Sequence, residues 1–488
     1  MSPVPAPLGP PAVTGPRLAL LLPGLAGNPS APPAVLVRLA AAGEARHALV
    51  RRRDLPPETA GVLAAATDAD LRSQLAANPS VPPSVRVVLA GDADPRVRTR
   101  LAAGAPYFTT VGVHGIRSPG PLPREVYEAL ARDPDPEVRR ALARNPHLPD
   151  DLRITLLDDA DERTATLAAT EWPRVPVDHI SRLLRATDPH GQWLLLGRLD
   201  GPLPTGTAHL LIAGLDAAAA DGKELDTDLL CGIAATADLD LELTARFLAD
   251  PDARPAVAGN PTLPAEHVAD LANDPDNRVR AAVVARRGLE PSLRESVPAD
   301  FDEGDTAVVD WLLTGDLPER DLAAYARSRH QIFRKTLAMR PGLPDEIVEL
   351  LAHDESFTVR LFVCERQPNA PARLLARTAE TWTGHSRWDL LAHRNFPGDA
   401  AVRLTGSARP ADRAVAAAHP GLPADTIEAL LADGNVTVRR RAAVNPVLPA
   451  GRLVELLASS DPAVAVAAAT NRALPVPSML HLLDQAGL

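Results

Sequence analysis

Five arginines recur in one sequence context: Arg98, Arg139, Arg280, Arg360 and Arg439 each close the pattern D-x-x-x-x-V-R. One such cation per repeat, on equivalent helices, would form a basic ladder able to meet an acidic partner or a phosphate backbone. The competing reading is local. Asp94, Asp135 and Asp276 stand four residues before Arg98, Arg139 and Arg280, a helical spacing at which an exposed pair is worth about 0.2–0.5 kcal/mol. In the other two copies that position holds Ser356 and Asn435. Arg360 and Arg439 are therefore the members best placed to bind something outside the chain. A second group is Tyr107, Phe108, His114 and Ile116, within the stretch GAPYFTTVGVHGIRS at residues 104–118. Aromatics on a loop held by a scaffold suit recognition, although the same loop could simply fold back over the scaffold edge. A third is Trp382, His385, Arg387, Trp388 and His393. They would suit a stacking platform for a planar ligand, or the tryptophans fill the core of their repeat. His385 and His393 have no cysteine or carboxylate at metal-ligand spacing. Motifs of nucleophilic, nucleotide-binding or zinc-peptidase chemistry are missing from the sequence. No catalytic residue, metal or cofactor is assigned.

The elements that must hold these residues are read most clearly in Asp133–Asp158, DPDPEVRRALARNPHLPDDLRITLLD. Asp135 caps a helix and Pro136 opens it, where a missing N–H costs nothing. Val138, Ala141 and Leu142 share one face. Asn145-Pro146 stops the helix, because a residue before proline is pushed out of the α region. Leu148 is expected in the core of the turn. Pro149 starts a second helix with Asp150 and Asp151 in its first turn, the end where the helix dipole favours negative charge, and Leu152, Leu156 and Leu157 form its buried stripe. Helices shorter than about 12 residues are marginal alone in water. The unit must stack on copies of itself.

Copies run along the chain. The stop recurs as NPSAP at Asn28, NPSVP at Asn78, NPHLP at Asn145, NPTLP at Asn260, RPGLP at Arg340, HPGLP at His419 and NPVLP at Asn445, with looser forms between them. This predicts an all-α fold, a solenoid of about 17 short two-helix repeats with steps of about 24–28 residues. Two stretches break the period. Residues 104–118 are β-branched and aromatic where their surroundings are Ala and Leu, which predicts a non-helical insertion. Residues 186–250 hold irregular repeats, with a longer helix and a turn near 215–228. Residues 1–16 are a proline-rich tail expected to be disordered, and 17–488 are expected to be a single solenoid domain.

The paired signatures, DPDPEVR with NPHLP and their copies, resemble the leucine-rich repeat variant family, a HEAT-like bacterial α-solenoid. The resemblance implies an α-helix stacked on a short α- or 3₁₀-helix, wound into a right-handed superhelix. Some members of that family carry a cysteine-ligated iron–sulfur cluster ahead of the repeats. The cysteines for it are missing here, so neither the cluster nor redox chemistry carries over.

The chain has 51 Lys and Arg against 62 Asp and Glu, a net charge of −11. That balance argues against a dedicated nucleic-acid binder. Only 3% of residues are aromatic, so the core must be built from Ala, Leu and Val, which suits thin stacked layers. Cys231 and Cys364 lie far apart in apolar surroundings and read as free thiols of a reducing compartment. Arg17–Ala26 reads as a first capping helix, and no stretch approaches the ~20 apolar residues of a membrane span. The expectation is a cytoplasmic, monomeric, non-catalytic scaffold for a protein or peptide partner. A nucleic-acid-binding solenoid using the arginine ladder is the alternative, and a HEAT-like DNA-repair enzyme a distant one.

Overall fold

The computed structural model describes residues 16–104, 121–172, 174–185, 187–301, 308–315 and 317–488. It is an all-α solenoid of two-helix repeats, with 34 helices among the described residues. Two compact units are present. One gathers the described residues of Met1–Leu156 and Leu375–Leu488, the other those of Leu157–Leu374.

The Asp133–Asp158 repeat forms as its residues dictate. Helix Pro136–Ala143 begins at Asp135, whose side chain accepts from the Glu137 N–H, and it buries Val138, Ala141 and Leu142. Helix Asp150–Leu156 follows, burying Leu152 and Leu156, while Leu148 sits in the core of the turn. Leu157 is only half-buried. The same capping recurs at Asp68, Asp94, Asp276, Asn435 and Asp461.

Within the first unit, first helices stack on first helices: Ala69–Ala76 on Pro95–Ala102, and that on Pro136–Ala143. Pro410–Ala417, Val436–Val444 and Pro462–Thr470 stack likewise. Helix Pro16–Ala26 packs on Gly43–Leu49 on one side and on Pro462–Thr470 on the other. The second unit repeats the scheme from Glu162–Thr170 to Asn277–Ala285 and again from Asp310–Thr314 to Phe357–Arg366. Small residues set the layer thickness, with Ala102, Ala143, Ala168, Ala258, Ala338, Ala443 and Ala468 all inaccessible or nearly so. The irregular stretch contains the longest helix, Thr205–Ala220, of 16 residues. Main-chain bridges join the layers in and just before it, Val175 with Leu199 and Leu203 with Ala237.

Candidate functional site

The VR arginines lie on first helices, and Arg98, Arg280 and Arg439 reach into the next repeat. Arg98 donates from one terminal nitrogen to the Asp92 carbonyl at 2.7 Å. Its other edge grips the Asp133 carboxylate of the next repeat, with Nε at 2.6 Å and Nη2 at 3.0 Å. Asp133 meanwhile accepts from the Asp135 N–H at 2.9 Å. One carboxylate thus closes its own turn and takes the arginine of the repeat before it. The i,i+4 partners expected from spacing are used otherwise. Asp94 caps the Arg96 N–H and pairs with the Arg96 guanidinium at 2.8 Å, and Asp276 does the same with Arg278 at 2.9 Å. The reason is geometric: the N-cap aspartate accepts from the backbone N–H two residues on, which turns it toward the side chain of that residue.

Arg439 holds Asp461 at 2.7 Å and the Asp433 carbonyl at 2.9 Å. Arg139 holds the Asp133 carbonyl at 2.7 Å. Arg280 donates to the carbonyls of Asp274 and Pro298 and to Asn277. Arg360 donates to the carbonyls of Asp354 and Glu355, and its guanidinium stands 5.9 Å from the Phe357 ring centroid. Spacing to a valine missed further members of the set, among them Arg254, which pairs with Asp274 at 3.3 Å. Arg72, Arg334 and Arg413 clamp Asp92, Asp354 and Asp433 at 2.7, 2.7 and 2.8 Å. The recoverable signal is an arginine with an aspartate 20 residues later. For Arg98 and Asp133 the separation is 35, because residues 104–118 intervene. In the irregular stretch Gln192 takes the arginine's place, donating to the Leu184 and Thr187 carbonyls. The arginine hydrogen bonds hold Asp92 and Asp433 below the usual carboxylate range.

A second ladder runs through the residue before proline, which spacing identified only as a helix stop. Asn78 is buried and donates to the carbonyls of Val50 and Arg52, both at 2.7 Å. Its oxygen accepts the Ser80 N–H at 2.8 Å. Asn260, Asn445 and Asn471 repeat the arrangement. Gln367 serves the carbonyls of Ala338 and Arg340, and Arg52 those of Ala26 and Asn28. His419 reaches the Phe396 carbonyl at 2.9 Å. Gly104, with φ +67, closes the turn beside Asn145, and a Cβ there would stand 2.8 Å from the Asn145 amide nitrogen.

Tyr107, Phe108, His114 and Ile116 lie outside the described residues, as does all of the 104–118 stretch except Gly104. In the third cluster, the Trp382 indole donates to Ser386 at 2.9 Å, and Arg387 engages Asp412 and the Ala379 carbonyl. Trp388 is 45% exposed, so it is not a core residue of its repeat. No group of three or more metal-ligating side chains occurs among the described residues, and none of their helices is long and apolar enough to cross a membrane.

An apolar cleft of ≈ 460 Å³ opens in the second unit, lined by Trp193, Gly197, Arg198, Cys231, Gly232, Ala235 and Ala256 among others. Three successive first helices contribute: Pro189–Leu196, Thr227–Thr236 and Arg254–Gly259. Trp193 is 41% exposed and stacks on His190 at 5.9 Å. Gly232 keeps the floor open, since a Cβ there would reach the Leu196 and Trp193 side chains at 3.3 Å. Burial, aided by the Asp252, Asp228 and Asp250 carboxylates, pushes the Cys231 thiol up. It is therefore a protonated wall group and a poor nucleophile. The expectation from sequence missed this cleft because its lining, mostly small residues beside one tryptophan, carries no motif.

No family model and no curated protein matches the chain. Among solved structures, a leucine-rich repeat variant with a novel repetitive structural motif is similar over 58% of this chain and 100% of its own, at 22% identity and a TM-score of 0.31. The UNC-45 chaperone, studied for binding and folding muscle myosin, is similar over 92% of this chain and 52% of its own, at 10% identity and a TM-score of 0.19. The karyopherin Kap121p, bound to the extreme C-terminus of the phosphatase Cdc14p, is similar over 96% and 51%, at 12% identity and a TM-score of 0.16. The chain thus spans about half the length of the latter two.

Proposed function

We infer that this chain is a non-catalytic interaction scaffold of the leucine-rich repeat variant type, cytoplasmic and, with its first unit closed within one chain, monomeric, whose 17–488 array holds a protein or peptide partner. The observation that carries the reading is the Trp193–Gly232 cleft. It is open and apolar, rimmed by a half-exposed indole, and of a volume that takes one large apolar side chain with room beside it. Exposed aromatic anchors at such places dominate protein interfaces. The ladders support the same reading. Carboxylates already hold Arg98 and Arg439, and the chain carries a net −11, which leaves little attraction for a phosphate backbone.

The test is affinity capture from source lysate, with and without nuclease, using the native chain and Gly232→Trp in parallel. The expected result is a protein that survives nuclease on the native chain and is lost from Gly232→Trp, with helical circular dichroism showing that the variant is folded. Partners that vanish on nuclease treatment, or that bind both forms equally, would reject the cleft as the binding site.

A further inference from the structure

Within the first unit, one repeat interface joins segments that are remote in sequence. Helix Pro16–Ala26 lies against helix Pro462–Thr470, and helix Pro33–Ala41 against Val476–Gln485. The join uses the chemistry of every other layer. Asn28, fully buried, donates to the carbonyls of Ala469 at 3.0 Å and Asn471 at 2.7 Å. Asn471 serves Ala443 and Asn445 in the same way. Arg17 reaches the Ser459 carbonyl at 2.7 Å, and Arg38 pairs with Asp484 at 2.6 Å. The backbones approach closely at Gly24, where a Cβ would stand 2.7 Å from the Val466 carbonyl oxygen.

One component is missing. Four residues after the cap, where Arg439 follows Asn435, Ala465 follows Asp461. The arginine–aspartate clamp therefore does not cross this interface. Nor does a short connection tie its two sides together, since the contacts span more than 440 residues of chain.

We propose that this seam is an openable joint and that its other occupant is a second copy of this chain. Opening it in one molecule exposes two unlike faces, Pro16–Ala41 and Pro462–Gln485. The same faces on another copy match them rung for rung. Cis and trans joints contain identical contacts, so the balance between them is set by effective concentration within the chain against the concentration of copies. The seam is heterologous: one face never pairs with itself.

That asymmetry gives the test. Gly24→Leu wedges the first face and Val466→Trp the second, and each variant retains one intact face. The two full-length variants are followed by sedimentation separately and mixed, with helical circular dichroism confirming that each is folded. The expected result is a species of twice the 51.6 kDa chain mass in the mixture and in neither variant alone. A mixture of folded variants that stays at the chain mass overturns the proposal, as does a variant that dimerises by itself. If a wedge costs the fold, Arg38→Glu and Asp484→Arg replace it, mixed after a shared passage through mild denaturant. Enrichment of the mixed dimer over either variant alone supports the joint, and equal amounts reject it.

Discussion

The buried amide of Asn78 satisfies two carbonyls of the preceding repeat. Removing it leaves both acceptors buried and unpaired, so Asn78→Ala should destabilise by about 2–3 kcal/mol in denaturant unfolding. Asn78→Arg should cost distinctly less, because Arg52 fills the same position one repeat earlier and reaches the equivalent carbonyls. A loss as large as that of alanine would show that the rung depends on the amide's shape rather than on donor satisfaction. The tryptophans divide by burial in the same manner. Trp172 is 1% exposed and Trp388 45%. Trp172→Ala should therefore cost about 3–5 kcal/mol, and Trp388→Ala under about 1 kcal/mol, read as shifts in thermal unfolding. Sequence alone located Asn78 as a helix stop, because proline follows it. It could not show the amide's target, which lies 26 and 28 residues away and is a main-chain group without residue identity.

At the level of the helix pair, the arginine clamp ties a first helix to the turn that begins the next one. Arg413 joins the Ser407 carbonyl at 2.8 Å to Asp433 at 2.8 Å, with both side chains largely buried. Arg360 makes the carbonyl half of that clamp without a carboxylate. Arg413→Ala should therefore lower stability, since it leaves the Asp433 carboxylate without its partner, and Arg360→Ala by less. Equal losses would mean that the carbonyl bonds carry the whole effect. The helices themselves were legible. Asp-Pro openings, helical Val/Leu spacing and Asn-Pro stops mark the regular repeats, and the longer helix and turn expected near 215–228 correspond to helix Thr205–Ala220, which starts ten residues earlier, and the turn after it. The clamp was legible only in part. The valine before each arginine drew attention to five members, while Arg72, Arg334 and Arg413 follow Leu, Phe and Asp, so that cue passes over them.

Across the whole molecule the clamps make stability depend on acid in one direction. Asp92 and Asp433 titrate below the ordinary carboxylate range because an arginine hydrogen bond favours their charged form. A depressed folded-state pKa adds stability that is complete above the unfolded value near ~4 and disappears as pH falls through the folded value. Thermal unfolding should be flat from about pH 7 to 5 and should decline below about pH 4. A midpoint that holds constant down to about pH 3 would show that the clamps contribute nothing net. The repeat class was readable from period and punctuation because those features are local. The cleft at Trp193 was not. It arises where Gly232, Ala235 and Ala256 leave space beside Trp193, and a missing side chain leaves no periodic trace.

The proline that follows five of the asparagines has a chemical consequence for the protein's lifetime. Asparagine ages when the nitrogen of the following residue attacks its side-chain amide, and a proline nitrogen carries no hydrogen to lose. Asn28, Asn78, Asn145, Asn260 and Asn445 are all followed by proline, whereas Asn471 is followed by Arg472. Prolonged incubation at mildly alkaline pH should therefore convert Asn471 to aspartate before any of the other five, as read by peptide mass. The first rung to age would then be the one that both donates to the Asn445 carbonyl and accepts from Asn28.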